Sequence, residues 1–370
     1  MSRLILLISL WAASFQLLAN DERQAIETSL RNYIDGTSYN DGDKIRAAFY
    51  PSANLYLEKA DTPLWKVKAA DYIKWFKPEK EGQFSGRVGE ILSIDIESGI
   101  ATAKAEILLP AKKVRFIDMF LLKKLDGQWR IISKSAQMTE SQNTGERILF
   151  IVSSAFFHGD SKLPAGVSFS EIVKAYDTFK QAGFRVDFVS PEGGALPLSY
   201  INTSEPIHRK YLYNPDFMYA IGNTKTPDEI VAKNYRAVHY VGGNNAMYGV
   251  AENEAIQKIA MEVYEKHNGI LSSVCHGTAG IVNLKTKDGN YLVAGKRISG
   301  YPESFENQSR AYFQEFPFLI QKTIEARGGL FFHSARNTPH LEVDGRIVTG
   351  QNHLSSPLVA EKMVEMLRRM

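Results

Sequence analysis

Apolar and polar positions follow two different periodicities on either side of residue 140. Near the start of the chain the period is helical, since Ile26, Leu30 and Ile34 recur at intervals of four. Further along, apolar residues alternate with polar ones, which is typical of half-buried strands, and Asp126-Gly127 favours a tight hairpin. Helices followed by an antiparallel meander predict an α+β fold with the helices on one sheet face. The predicted elements are helices near 26–34, 45–49 and 69–76, and strands over Asn54–Leu57, Ile91–Ile96, Ala101–Leu108, Arg115–Leu122 and Trp129–Ile132.

From Glu146 to Met370, short apolar runs instead alternate with amphipathic stretches. Repeated βα units predict a parallel sheet with helices on both faces, an α/β flavodoxin-like sandwich. The polar stretch between the two patterns predicts a linker, so we expect domains over 20–136 and 146–370 joined by 137–145. The predicted strands are Ile148–Val152, Arg185–Ser190, Ala237–Val241 and Ile270–Val274, and the predicted helices are Phe169–Gln181, Glu252–Lys266 and one starting at Ser356-Pro357.

The first 19 residues have the pattern of a secretory signal peptide. A positive start at Arg3 precedes an apolar run over Leu4–Leu18, and Ala19 offers a small residue for cleavage. The run is short for a membrane span, although an uncleaved anchor is the alternative. We therefore expect an exported protein, secreted or periplasmic, with no membrane span after cleavage.

Charge and cysteine content narrow the function classes. The formal net charge is +3 with no basic run, which argues against a nucleic-acid partner. The chain contains one cysteine, so an intramolecular disulfide and a two-cysteine redox cycle are both excluded. The histidines form no HxxxH or HxH pair, so neither a metal nor another cofactor is expected.

The single cysteine, Cys275, follows an apolar β-favouring run and precedes His276, Gly277 and a stretch with helical character. This order predicts a thiol on a sharp strand-to-helix turn, the device that exposes the nucleophile of α/β-hydrolases. A helix N-terminus favours the thiolate, so we expect a stabilised thiolate at this position. The alternative is a small buried core cysteine.

The second segment resembles the ThiJ/PfpI superfamily, the class I glutamine-amidotransferase-like α/β proteins, and within it the branch of chaperones and glyoxalase III enzymes. The resemblance implies that Cys275 is the nucleophile and that Glu171 is the acidic residue beside it. It implies that His276 acts as acid or base and that Glu306 orients it, with Glu303 as the competing carboxylate. A carboxyl beside a thiolate is expected to have a raised pKa. The resemblance is carried by Phe169–Val173, Tyr240–Gly243, Val274–Gly277 and Val343–Asn352.

Gly242 and Gly243 follow a predicted strand, where glycine allows a backbone N–H to approach a ligand. Together with the N–H of His276 they are predicted to form an oxyanion hole. The chain departs from its branch around the pocket. Thr278 stands where proline is usual, Asn244-Asn245 replaces His-Gly, and His353 replaces the proline of a Gln-Asn-Pro-x-Ser pattern.

The first segment resembles the cone-shaped nuclear-transport-factor-like fold, in particular the Putative lumazine-binding family. The similar stretches are Tyr33–Tyr39, Ile45–Pro51, Phe116–Asp118 and Asp126–Ser133. The fold encloses a conical pocket, and its aromatic residues either line that pocket or form the core. We expect a dimerisation or ligand-holding module. The aromatic residues in question are Tyr56, Trp65, Tyr72 and Trp75.

These features lead to one main hypothesis and two alternatives. The first is a cofactor-independent, glyoxalase III-like lyase that forms a Cys275 hemithioacetal with a 2-oxoaldehyde such as methylglyoxal and releases a 2-hydroxy acid. The second is a cysteine hydrolase of amides or small peptides. The third is a non-enzymatic oxidation sensor or chaperone. The expected partners are a small aldehyde or amide substrate and a second copy of the chain in a homodimer.

Overall fold

A computed structural model describes residues 21–59 and 61–370. The predicted signal peptide, 1–19, lies outside the described residues. The chain divides into two compact units, with the boundary between Gln142 and Asn143.

The first unit is a six-stranded sheet with the strand order β2-β1-β6-β5-β4-β3. All neighbouring strands are antiparallel except β1 and β6. A long helix, α1, covers one face of the sheet and buries Ile26, Leu30 and Ile34 against it. The elements are α1 (21–38), α2 (Gly42–Ala48), β1 (Phe49–Lys59), β2 (Thr62–Lys68), α3 (Ala69–Ile73), β3 (Val88–Glu97), β4 (Ile100–Leu109), β5 (Val114–Leu125) and β6 (Gln128–Glu140).

The predicted α+β fold of this unit is confirmed, with two corrections. Strand β2 was missed, because it is an edge strand whose residues are mostly exposed and lack a clear alternation. Residues 137–140, predicted to begin the linker, are the end of β6. They pair with residues 114–117 at the start of β5, and a polar sequence does not reveal such pairing.

The second unit contains a six-stranded sheet with the order β15-β16-β12-β11-β7-β9. All its pairs are parallel except the edge pair β15–β16, so the predicted flavodoxin-like α/β sandwich is confirmed. The elements are β7 (Arg147–Ile151), β8 (Val167–Ser168), α4 (Phe169–Gln181), β9 (Arg185–Val189), β10 (Leu198–Ser199), α5 (Pro206–Leu212), α6 (Pro215–Gly222), β11 (Tyr235–Tyr240), α7 (Glu254–Met261), β12 (Ile270–Val274), β13 (Arg297–Ile298), α8 (Ala311–Gln314), α9 (Ile320–Ala326), β14 (Leu330–Phe331), β15 (Leu341–Asp344), β16 (Ile347–Gly350) and α10 (Ser356–Leu367).

Two apolar layers lie on opposite faces of this sheet because successive strand side chains point to opposite sides. On β7, Ile148 and Phe150 pack against α4 and α10, whereas Leu149 and Ile151 pack towards α7 and α9. Because β11 and β12 are neighbours, the residues that follow Tyr240 and Val274 meet at one edge of the sheet. That edge is where parallel sheets bind ligands.

Within the described part of the chain, no helix is both long enough and apolar enough to cross a bilayer.

Candidate active site

Cys275 lies on the sharp turn that its sequence predicted. It follows β12 directly and has a φ of +57°. A non-glycine residue rarely adopts this left-handed conformation, and such strain is concentrated at functional sites. The turn packs closely on β11, since a Cβ atom at Gly277 would lie 2.4 Å from the carbonyl oxygen of Tyr240. The sequence around Cys275 therefore specifies a sharp turn that directly follows the strand.

The expected stabilised thiolate is not supported. The segment after the turn, Cys275–Ile281, is a short 3₁₀ helix. Burial raises the pKa of the Cys275 thiol well above its usual value, and the charge of Glu171 raises it further. The backbone N–H of His276 donates to the sulfur and lowers the pKa of the thiol, but by less than burial and Glu171 raise it. The resting site therefore holds a thiol beside a carboxyl, and the thiolate forms when a partner takes its proton.

Glu171 is the partner placed to take that proton. It lies in the first turn of α4, is 2% exposed, and forms a hydrogen bond with the Cys275 thiol. Burial raises the pKa of Glu171 to about 7, against the opposing effects of the thiol and of the Gly242 N–H. The raised pKa agrees with the prediction, and Glu171 is buried rather than solvated on the helix surface. A carboxyl with this pKa can accept or donate a proton near neutral pH.

His276 contacts the thiol from the other side. Its Nδ1 lies 3.5 Å from Cys275 Sγ, and its Nε2 lies 2.6 Å from Glu306 Oε1. Glu306 also accepts a hydrogen bond of 2.9 Å from the Tyr312 hydroxyl. Burial by itself would raise the pKa of Glu306, but the hydrogen bond and charge of His276 outweigh it and lower that pKa. The carboxylate holds the proton on Nε2, which leaves Nδ1 as the acceptor facing the thiol.

The choice between two carboxylates is thereby resolved geometrically. Glu306, rather than Glu303, is hydrogen-bonded to His276. Both acids belong to the same loop after Gly300, and Glu303 begins a short 3₁₀ turn that ends just before Glu306. Spacing alone could not distinguish the two, because the direction of each side chain depends on that turn.

The predicted oxyanion hole needs correction at Gly242. The Gly242 N–H donates to Glu171 Oε2 at 3.0 Å, so it is not available to a substrate oxygen. Glycine is required there for a different reason, since a Cβ atom would lie 2.4 Å from that carboxylate oxygen and 2.9 Å from the Cys275 Cβ. Gly243, with a φ of +114°, continues the tight turn. The His276 N–H is directed at the sulfur.

The aromatic and polar residues that lie around Cys275 and His276 were not identified from the sequence. Tyr301 stacks on the His276 ring with centroids 4.7 Å apart, and Arg336 donates to the Tyr301 hydroxyl at 3.4 Å. Tyr200 has a φ of +57°, and burial together with the charge of Cys275 raises the pKa of its hydroxyl. The clustering of aromatic residues in the loop after Gly300 was the available signal for part of this wall.

One departure from the branch pattern also has a structural role. Asn244 Oδ1 accepts from the Gly166 N–H at 2.9 Å, and its Nδ2 lies 3.1 Å from His158 Nε2. His158 in turn contacts the Tyr248 hydroxyl at 3.1 Å through Nδ1. These contacts tie the turn after Gly243 to a neighbouring loop, so Asn244 fixes the backbone beside the thiol.

No group of three histidine, cysteine, aspartate or glutamate side chains in 21–59 and 61–370 is close enough to hold a metal ion. The absence of a cofactor stays a prediction.

Comparison with known families agrees with this geometry. The model of the DJ-1/PfpI family matches residues 163–366. The chain belongs to the DJ-1/PfpI family. The first unit matches, over residues 21–136, the model of the family described as Putative lumazine-binding. Both resemblances inferred from the sequence are confirmed.

Several relatives of this chain are named as glyoxalases. A glutathione-independent glyoxalase of Schizosaccharomyces pombe is 32% identical over 240 residues, which cover 60% of this chain and 98% of the relative. Glyoxalase 3 of Candida albicans is 26% identical, over 56% of this chain and 92% of the relative. The crystal structure of glyoxalase III from Candida albicans matches with a TM-score of 0.54 at 24% identity, covering 60% of this chain and 97% of that one, and supports the fold.

Proposed function

We propose that the second unit is a glutathione-independent glyoxalase that converts 2-oxoaldehydes such as methylglyoxal into 2-hydroxy acids such as lactate. The observation that carries the proposal is one buried thiol held between a carboxyl whose pKa is about 7 and a histidine–glutamate pair. Relatives named glutathione-independent glyoxalase, of which the chain covers up to 98%, support the same reaction. Export and a homodimer stay predictions from the sequence.

In the first step Cys275 adds to the aldehyde carbon. Glu171 takes the thiol proton as the S–C bond forms and returns it to the new oxygen, which yields a neutral hemithioacetal. The carboxylate is then free for a second proton transfer. The proton transfer is favoured by proximity, because the Cys275 thiol and the Glu171 carboxylate are already hydrogen-bonded before the substrate arrives.

In the second step the Glu171 carboxylate removes the hydrogen from the former aldehyde carbon and delivers it to the neighbouring carbon through an enediol. The first carbon is oxidised to a thioester and the second is reduced to an alcohol. Water, activated by His276 and Glu306, cleaves the thioester and restores the thiol. One carbon loses two electrons and its neighbour gains two, so the reaction adds only water and requires no external oxidant or reductant.

The full-length chain is expected to form one lactate for each methylglyoxal consumed in buffer free of glutathione. Proton NMR of the reaction mixture measures both species in one experiment. Adding glutathione serves as the control and should not raise the rate, because the reacting hemithioacetal forms on Cys275 rather than on glutathione. Loss of aldehyde without lactate would indicate simple adduct formation and contradict the proposal.

Glu306→Gln is expected to lower kcat roughly tenfold to a hundredfold, because His276 loses the charge that holds its ring and tautomer in place. Glu303→Gln is the matched control, since this acid lies three residues earlier in the same loop without that contact. Steady-state kinetics of the two variants measures the difference. Equal losses in both variants would mean that Glu306 has no orienting role.

A cysteine hydrolase of amides is the second candidate, because Cys275, His276 and Glu306 form a nucleophile–base–carboxylate series. Such an enzyme would not need a carboxyl to move protons between two substrate carbons. Turnover of an amide substrate that survives Glu171→Gln and is lost in Glu306→Gln would favour the hydrolase over the glyoxalase.

A further inference from the structure

The first unit contains a buried charged cluster that the proposed glyoxalase reaction does not use. Lys134 Nζ donates to Asp118 Oδ1 at 2.7 Å, and the Tyr33 hydroxyl donates to Asp118 Oδ2 at 2.5 Å. The side chains of Lys134 and Asp118 are 3% and 1% exposed. Burying such a pair without water is costly, so its presence in a small domain calls for an explanation beyond stability.

A second cation joins this cluster. Arg87 immediately precedes β3 and lies on the same face as Gly89, because alternate residues of a strand share a face. That face is the helix-covered one, since a Cβ atom at Gly89 would lie 2.3 Å from Ile34 of α1. The guanidinium hydrogen-bonds the Tyr33 hydroxyl, yet Arg87 Nε is buried and has no hydrogen-bond partner among the described residues.

The cluster carries a net positive charge. Arg87 and Lys134 contribute two positive charges, and Asp118 contributes one negative charge. Asp118 is already occupied, because Lys134 and Tyr33 use both of its oxygens. Burial lowers the pKa of Arg87, but Tyr72, Tyr33 and Asp118 outweigh it, so the guanidinium stays charged. A half-buried arginine whose Nε has no hydrogen-bond partner among the described residues is suited to a carboxylate, whose two oxygens match the planar guanidinium.

Aromatic rings lie beside this cation and extend towards solvent. Tyr72, which interacts electrostatically with Arg87, packs edge-on against Trp75 with ring centroids 5.0 Å apart. Trp75 stacks on Trp65 at 5.4 Å and 20°. Tyr72 is buried, whereas Trp75 is 47% exposed. Of the two alternatives for these residues, Tyr72 therefore belongs to the core, whereas Trp75 lies at the surface.

We propose that the first unit binds a small planar aromatic carboxylate, with the carboxylate on Arg87 and the ring against Tyr72 and Trp75. The site belongs to the first unit and does not depend on the proposed glyoxalase activity. Ring stacking supplies apolar contact, and the ion pair selects the anion.

Isothermal titration calorimetry of the full-length chain with 2-naphthoate and 2-naphthamide tests the proposal. The two probes share one ring system and differ in charge. We expect 2-naphthoate to bind at least about tenfold more tightly than the amide, since one charge-assisted hydrogen bond is worth about that factor. Cys275→Ala is expected to bind both probes as the unmodified chain does, which excludes the thiol site as the source of heat.

Arg87→Gln is expected to bring the affinity ratio of the two probes close to one. Arg130→Gln is the matched control, because Arg130 lies on β6 of the same sheet, contacts Gln128, and alternates with the buried Trp129 and Ile131. Circular dichroism confirms that each variant is folded. Equal affinities for acid and amide, a preference that persists in Arg87→Gln, or no binding of either probe overturns the proposal.

Discussion

Cys275→Ala is expected to reduce lactate formation from methylglyoxal at least about a thousandfold, to the level of buffer alone. The reaction proceeds through a bond to sulfur, and the chain contains no second cysteine that could replace it. The site itself should persist, because the Gly242 N–H still donates to Glu171 and Glu306 still holds His276. The measurement is the initial rate of lactate release under saturating aldehyde.

Two controls separate chemistry from folding. Cys275→Ser keeps the size of the side chain but is a far weaker nucleophile, so it should be as inactive as the alanine variant. Thermal unfolding of both variants should remain cooperative. Iodoacetamide, which can label this protein at one thiol, should inactivate the unmodified chain in proportion to labelling. Substantial lactate formation by Cys275→Ala would eliminate the proposed mechanism.

Glu171→Gln is expected to lower kcat/KM roughly a hundredfold to ten-thousandfold and to change the pH profile. The pKa of Glu171 is about 7, so the carboxylate needed to accept the thiol proton appears as pH rises through 7. Activity of the unmodified enzyme should therefore rise between about pH 6 and pH 8 and then level off. The glutamine variant has no such base, and its residual activity should rise only at the higher pH where Cys275 ionises by itself.

The measurement is kcat/KM against pH for both proteins. Glutamine is a conservative replacement, because its amide oxygen can still accept from Gly242. Glu262→Gln serves as the control, since Glu262 is a glutamate outside the site whose partner is Lys266. A rise centred near pH 7 that persists in Glu171→Gln would assign the titrating group to another residue.

The glyoxalase and the sensor alternatives differ in what they require of Cys275. A sensor needs a thiol that oxidants reach and that is ionised at rest. Cys275 is 7% exposed, and burial raises its pKa. These properties suit a thiol that is activated when a substrate and Glu171 act together.

The sequence by itself determined the two-unit organisation, the fold class of each unit and the sharp turn on which Cys275 lies. These features are local or periodic, because strands and helices impose periods of 2 and 3.6 on apolar residues. The turn is local as well. The apolar strand stops just before Cys275, where the chain makes a strained turn. Gly277 has no side chain, so this turn can pack closely against Tyr240.

Only the tertiary structure decided how the site residues share protons. The Gly242 N–H was expected to donate to a substrate oxygen, but it donates to Glu171, which lies 71 positions earlier in the chain. A helix N-terminus was expected to stabilise the thiolate, but burial raises the pKa of Cys275 instead. Burial depends on every element packed around the sulfur. Glu306 rather than Glu303 reaches His276 because a short turn separates them. Electrostatics in a protein interior depends on distances between residues remote in sequence, and a periodic pattern does not encode those distances.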